Sequence, residues 1–258
     1  MWECEHGAGQ HDGGVSSRAT APEGSRAWLL IEYDGVWAQQ AVATPLPAPL
    51  AKLAVAADEQ GIRVQLIRRP GRRAGTAADN ATTDRIAADQ ASTYRATDAP
   101  RVFAAWTAGA DPWLADVTAA IGALDLAALA AGERPAAPEL SRMYLVCAHG
   151  RRDRCCARFG GPLARALAAG HPDYLWETTH VGGHKWAANL VLLPHGLYYG
   201  PCDLETATAA IGAYERGAVS ARRYRGRAGL PTAAQERVHE ALLAAGTMQV
   251  GDTAPETG

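Results

Sequence analysis

Residues 143–189 read MYLVCAHGRRDRCCARFGGPLARALAAGHPDYLWETTHVGGHKWAAN. Two runs in this stretch, MYLVC and YLWETTH, have the composition of strands, and each ends on a potential metal ligand, Cys147 and His180. Between them GGPLARALAAG predicts a helix entered through Gly160, Gly161 and Pro162 and closed by Gly170. A strand over NLVLLP, a turn at His195-Gly196, a short strand LYYG and a helix LETATAAIGAYERG capped by Asp203 complete the order β-α-β-β-β-α.

Upstream, AWLLIEY from Ala27 reads as a buried strand with a turn at Asp34-Gly35. LAKLAVAADEQG carries apolar residues at helical spacing and stops at Gly61, and IRVQLIRR is the next strand, ended by Pro70-Gly71. Strand, helix, strand at this spacing predicts a right-handed crossover with parallel pairing. The segment from Arg72 to Pro100 is polar and alanine-rich, with weak helical character. RVFAAW resumes a strand, and DPWLADVTAAIGALDLAALAAG reads as a helix with Asp111 as N-cap and Pro112 in its first turn. GERPAAPELS reads as a linker.

The fold class expected is therefore α/β with two α/β domains. Residues 1–139 form an N-terminal domain with a loose lead-in, and residues 140–258 form a C-terminal domain of thioredoxin-like order. RRYRGRAGLPTAAQERVHEALLAAG adds a basic loop and a helix from Pro231, and TMQVGDTAPETG reads as a tail.

A chain of 258 residues with a formal charge of −2 and a pI near 6.4 has no excess of positive charge for binding nucleic acid. No apolar run reaches the roughly 18 residues of a membrane span. The start, MWECEHGAGQHDGG, has neither a charged leader nor an apolar core, so a cytoplasmic protein without a membrane partner is expected. The five cysteines are an odd number, crowded toward the middle of the chain. That pattern points to metal or redox chemistry in a reducing compartment rather than to a secreted disulfide framework.

Cluster and zinc sites both take thiolate and imidazole donors, in pairs brought together by a rigid scaffold. The first pair here is Cys147 with either Cys155 or Cys156, across a tight charged loop. The second is His180 and His184, separated by Val181, Gly182 and Gly183. Without Cβ atoms the two glycines let the backbone curl so that both imidazoles face one centre. His149 makes a C-x-H with Cys147, half of a Rieske pattern, with no C-x-x-H to follow. Cys4, His6 and His11 offer three more donors in the lead-in, and Cys202 reads as a small half-buried residue.

Other chemistries fit less well. A phosphatase-type loop needs an arginine where Asp153 stands, and neither a C-x-x-C, a G-x-G-x-x-G nor a Walker loop occurs. Asp173 and Glu177 read as ordinary solvent-facing strand positions rather than a glycosidase pair.

With these residues in view, the chain resembles the sucrase/ferredoxin-like family, which includes the fungal actin-patches-distal protein. AWLLIEYDGVW and VQLIRRPGR are similar to its strand motifs, and C-x-H-x-R-R-D-x-x-C (Cys147 to Cys156), HVGGHKWAAN and YRGRAGLP with Gln235 are similar to its signatures. The family's C-terminal part resembles thioredoxin-like ferredoxins, with H-x3-H in place of a second cysteine pair. The resemblance implies a 2Fe-2S cluster held by Cys147, Cys156, His180 and His184, and its spacing prefers Cys156 to Cys155.

The expected function is electron transfer or redox sensing with a redox partner protein, and the expected assembly is a homodimer. Glycosidase activity is not expected. Imidazole ligands leave a second nitrogen that exchanges a proton, so electron transfer is expected to couple to proton transfer. Around the site, His149, Arg151, Arg152, Asp153, Arg154, Arg158, Gly182, Gly183, Lys185 and Trp186 are candidates for tuning or docking. Two rivals use the same stretch. One is a structural or regulatory zinc site with the same four ligands, and the other is a thiol oxidoreductase acting through Cys155 and Cys156.

Overall fold

In the computed structural model, which describes residues 21–71 and 100–254, the first strand, β1 (Ala27–Glu32), is buried along its whole length. A run like AWLLI presents apolar side chains in both pleat directions, so it needs cover on both faces of a sheet. β1 pairs parallel with β2 (Arg63–Arg68) across the helix α1 (Ala48–Glu59), the pairing expected from the strand-helix-strand pattern. α1 buries Leu50, Ala54 and Ala57 on one stripe and stops where Gly61 takes a φ of +74° and the Ile62 N–H returns to the Ala57 carbonyl. β3 (Val102–Trp106) pairs antiparallel with the other edge of β1, and β4 (Trp113–Asp116) antiparallel with β3.

β4 corrects the continuous helix expected from Asp111 to Gly132. The segment is instead a strand, a 3-10 turn (Thr118–Ala123) and a short helix, α2 (Leu126–Ala131), capped by Asp125, which accepts from the N–H groups of Ala127 and Ala128. Sheet pairing outweighs local propensity here. Leu114 fills one side of the sheet while Trp113 and Ala115 fill the other, and Gly122 weakens any helix drawn through it.

The C-terminal half follows the predicted order, with β5 (Met143–Cys147), α3 (Gly161–Ala168), β6 (Leu175–Thr178), β7 (Leu190–Leu193), β8 (Leu197–Tyr199) and α4 (Leu204–Glu215). The expected basic loop is instead strand β10 (Tyr224–Arg227), which follows β9 (Ala218–Ser220) and pairs with β8. The expected tail contributes β11 (Thr247–Gln249), paired with β9 after helix α5 (Thr232–Ala245). Arg225 and Arg227 are buried because their guanidiniums meet acceptors, Asn189 Oδ1 for one and the Thr107 and Gly109 carbonyls for the other.

Among the described residues the main sheet runs β10-β8-β7-β5-β6-β2-β1-β3-β4. The halves join edge to edge where β2 and β6 pair antiparallel, Ile67 opposite Thr178 and Arg68 opposite Glu177. Outward from this seam the order repeats on both sides. Each half has a parallel neighbour, then two antiparallel strands, with helices after the first and fourth strands, so the N-terminal half is also β-α-β-β-β-α. Val102 stands opposite Ile31 at the start of β3, as Leu190 stands opposite Val146 at the start of β7. Glu32 therefore holds the place in the N-terminal half that Cys147 holds in the C-terminal half.

The sheet curls, and among the described residues its period-2 side chains sort into three cores. Trp28, Leu30, Phe103, Leu145, Trp176 and Val191, from both halves, share one face. On the other face, α1 and α2 cover Leu29, Ile31 and Leu66, while α3 and α4 cover Tyr144, Val146 and Leu190.

At the seam the buried Glu177 accepts from Arg68 Nε at 2.8 Å, and the Arg68 guanidinium stacks 3.9 Å from the Trp37 ring. Glu177 is thus not the solvent-facing residue expected, because a cation from the other half neutralises it inside the sheet. Asp173 is exposed and lies before β6.

Candidate metal centre

Cys147 ends β5, with its N–H on the Asn189 carbonyl at 3.0 Å. The chain then turns back, and the Asp153 carboxylate accepts from the Cys155 N–H at 2.8 Å, opening a helical turn. Cys156 begins a π-helical turn, Cys156–Gly160, that runs into α3. Gly160 permits this path, since a Cβ there would overlap the Cys147 carbonyl oxygen. The turn places Cys156 directly over the end of β5.

His180 follows β6 by two residues, and its Nδ1 lies 3.5 Å from Cys156 Sγ. The two sulfurs and a ring nitrogen of His180 all lie within 4.8 Å of one another. Both cysteines are 0% exposed. His180 is half-buried and lines a cleft of about 360 Å3 with Gln39, Gln40, Arg63 and Arg152, so the imidazole is the donor that reaches solvent.

The two thiols share their protons unequally. Hydrogen bonds from Cys156 and then His180 pull the Cys147 thiol well below its ordinary value against the cost of burial, while the Cys147 sulfur and burial push Cys156 up. Of the two, Cys147 is the thiol that gives up its proton more readily.

His184 stands apart from this group. Its side chain is 54% exposed, its ring centroid lies 6.4 Å from that of His180, and its Nδ1 is 3.8 Å from Asp153 Oδ2. Gly182 and Gly183 between the histidines take φ values of +98° and +66°, the curl expected of them.

A sequence model of sucrase/ferredoxin-like proteins matches residues 21–226. The chain belongs to the sucrase/ferredoxin-like family. Comparison with curated proteins and with solved structures gives no match.

The part of this sucrase/ferredoxin-like protein that matches spans both halves of the sheet and includes a residue that sequence reasoning missed, Arg225. Its guanidinium bonds Asn189 Oδ1, and Asn189 Nδ2 donates to the Gly183 carbonyl at 3.1 Å. A Cβ on Gly183 would overlap that guanidinium, so this glycine is required by close approach as well as by φ. Burial lowers the Arg225 pKa to about 10, which leaves it charged at neutral pH behind the histidine loop. The run YRGR read as a basic loop and, within YRGRAGLP, as a family signature, with no role given to Arg225.

Other candidates fall outside the donor group. Cys155 is buried beside it, and Cys202 is buried just before α4, where burial pushes its thiol up to about 12. His149 is engaged through both ring nitrogens and is not a donor to the centre. Arg151, Arg152, Arg154 and Arg158 are exposed on the cysteine loop, and Lys185 lies over the Trp186 ring at 5.4 Å. Cys4, His6 and His11 lie outside the described residues. In the N-terminal half Glu32 stands in for Cys147 and Arg69, two residues past Ile67, for His180, so the described residues of that half do not repeat the donor set. No helix among the described residues is long and apolar enough to cross a membrane.

The donors suit a metal group. Two sealed thiols and an imidazole are the soft and borderline ligands that iron–sulfur and zinc centres take, and a further imidazole waits on a glycine loop beside them.

Proposed function

We propose that Cys147, Cys156, His180 and His184 hold a 2Fe-2S cluster and that this protein carries electrons to or from a redox partner protein in the cytoplasm. The observation that carries the reading is the buried grouping of Cys147, Cys156 and His180 within 4.8 Å. His184 completes the set by swinging inward on Gly182 and Gly183. When bound, such a cluster supplies one-electron transfer.

The chain's own residues do the rest. Cys147 and Cys156 sit where water does not reach, and His180 offers the route to the cleft. The His180 nitrogen facing away from Cys156 is the atom that would take up a proton as the centre gains an electron. Arg151, Arg152 and Arg154 form a cationic rim suited to an acidic partner. We read residues 140–258 as a thioredoxin-like ferredoxin domain and residues 1–139 as a second α/β domain, a division supported by the β-α-β-β-β-α order of each half.

The test is the visible and electron-paramagnetic-resonance spectrum of protein purified without air. A red-brown protein with iron and acid-labile sulfide in equal amounts is expected. A colourless protein containing zinc would support a second reading, which the three-donor grouping with one open place favours: a zinc module using the same residues.

A further inference from the structure

We propose that His149 is a positioning residue for His180, and that through it the N-terminal half holds the metal centre in shape. His149 is 2% exposed and lies between two backbones. Its Nδ1 accepts from the His180 N–H at 3.1 Å, and its Nε2 lies 2.7 Å from the Ala38 carbonyl, an acceptor only. The ring must therefore carry its proton on Nε2, which leaves neither nitrogen for a metal without breaking a bond.

The far end of this bridge is itself fixed. The Ala38 N–H donates to Thr44 Oγ1 at 3.0 Å. Trp37 donates its indole N–H to the Tyr33 carbonyl, stands edge-on to His149 at 5.7 Å, and is covered by Arg68.

His180 needs such support because it lies beyond the end of β6, where no sheet neighbour sets its backbone. Its N–H is held by His149, and its carbonyl accepts from Arg63 Nη2 at 3.2 Å. Both bonds lead into the N-terminal half, one directly and one through His149. A metal ligand shifted by a fraction of an ångström binds less well, so the groups that orient it tune the centre. This gives the N-terminal half a role in the site. The inference rests on the proposed function only in taking His180 as a metal donor.

Two replacements separate the two bonds. His149→Asn places an oxygen where Nδ1 stands and keeps the acceptor for His180, whereas His149→Gln reaches the Nε2 place and keeps only the donor to Ala38. With cobalt(II) as the probe, His149→Gln, which leaves the His180 N–H without its acceptor, is expected to lose about tenfold in affinity with altered thiolate charge-transfer bands, and His149→Asn, which keeps that acceptor but loses its anchor on Ala38, to fall between it and wild type. Equal loss in both, loss in neither, or wild-type affinity in His149→Asn overturns the proposal. In the metal-free full chain, magnetic resonance is expected to show scalar coupling between the His180 amide nitrogen and His149 Nδ1. A proton on Nδ1 overturns the proposal whatever the metal result. A zinc protein passes these tests while failing the colour test, so failure of one reading is distinguishable from failure of the other.

Discussion

Gly160 runs so close against Cys147 that a Cβ on the glycine would overlap the cysteine's carbonyl oxygen, whereas the neighbouring Gly161 meets only the flexible Arg165 guanidinium at 3.5 Å. Gly160→Ala must push the turn carrying Cys156 off the end of β5. It is expected to cost about 1–3 kcal/mol or more and to abolish metal binding, while Gly161→Ala leaves both nearly unchanged. Urea denaturation and cobalt titration of the pair check this, and similar effects at the two glycines would contradict it.

The Arg68–Glu177 pair crosses the seam with both side chains buried. Arg68→Met strands the Glu177 carboxylate and is expected to destabilise the fold by about 3–5 kcal/mol. Adding Glu177→Leu should recover most of that loss, because an apolar pair leaves no buried charge. Chemical denaturation of the single and double variants measures it, and a double variant as unstable as the single one would show that packing on Trp37 is the larger effect.

His195 is half-buried against the Tyr214 hydroxyl, 2.7 Å from its Nδ1, and desolvation with the nearby Arg227 charge lowers its pKa from 6.5 to about 4. Between those values the unfolded chain takes up a proton that the folded chain refuses. Stability from this group is present above pH 6.5 and is lost as pH falls toward 4, by ~3 kcal/mol in full. His195→Asn should flatten this part of the profile. Melting temperatures of the two proteins between pH 7 and about 4 compare them, and parallel curves would count against His195 as the source.

Cys202 and Cys156 are both buried cysteines, yet only Cys156 faces other donors. Cys202→Ala is expected to keep full metal content, and Cys156→Ala to lose it. Metal analysis after purification without air decides, and loss of metal from the Cys202 variant would place that thiol at the centre.

The C-terminal half was legible because its strands are short apolar runs bounded by glycine, proline or a capping aspartate. The repeat in the N-terminal half was hidden by one segment. Asp111-Pro112 opens like a helix, and the strand it opens, Trp113–Asp116, forms only because β3 offers an edge to pair with. Likewise Arg225 read only as part of a basic loop, since nothing local shows that Asn189 and the Gly183 loop will close over it.

By itself the sequence determined which chemistry is present. Cysteine and histidine at strand ends, with two glycines between the histidines, are local facts that survive any packing. Only the tertiary structure decided which donors meet. Vicinal cysteines on a helical turn point different ways, and the approach of Gly160 to Cys147 turns Cys156 inward toward His180. It likewise left His184 outside the group and brought Ala38, from the other half, within reach of His149. Those outcomes depend on contacts between residues far apart in the chain, formed when β2 pairs with β6, and no local pattern carries them.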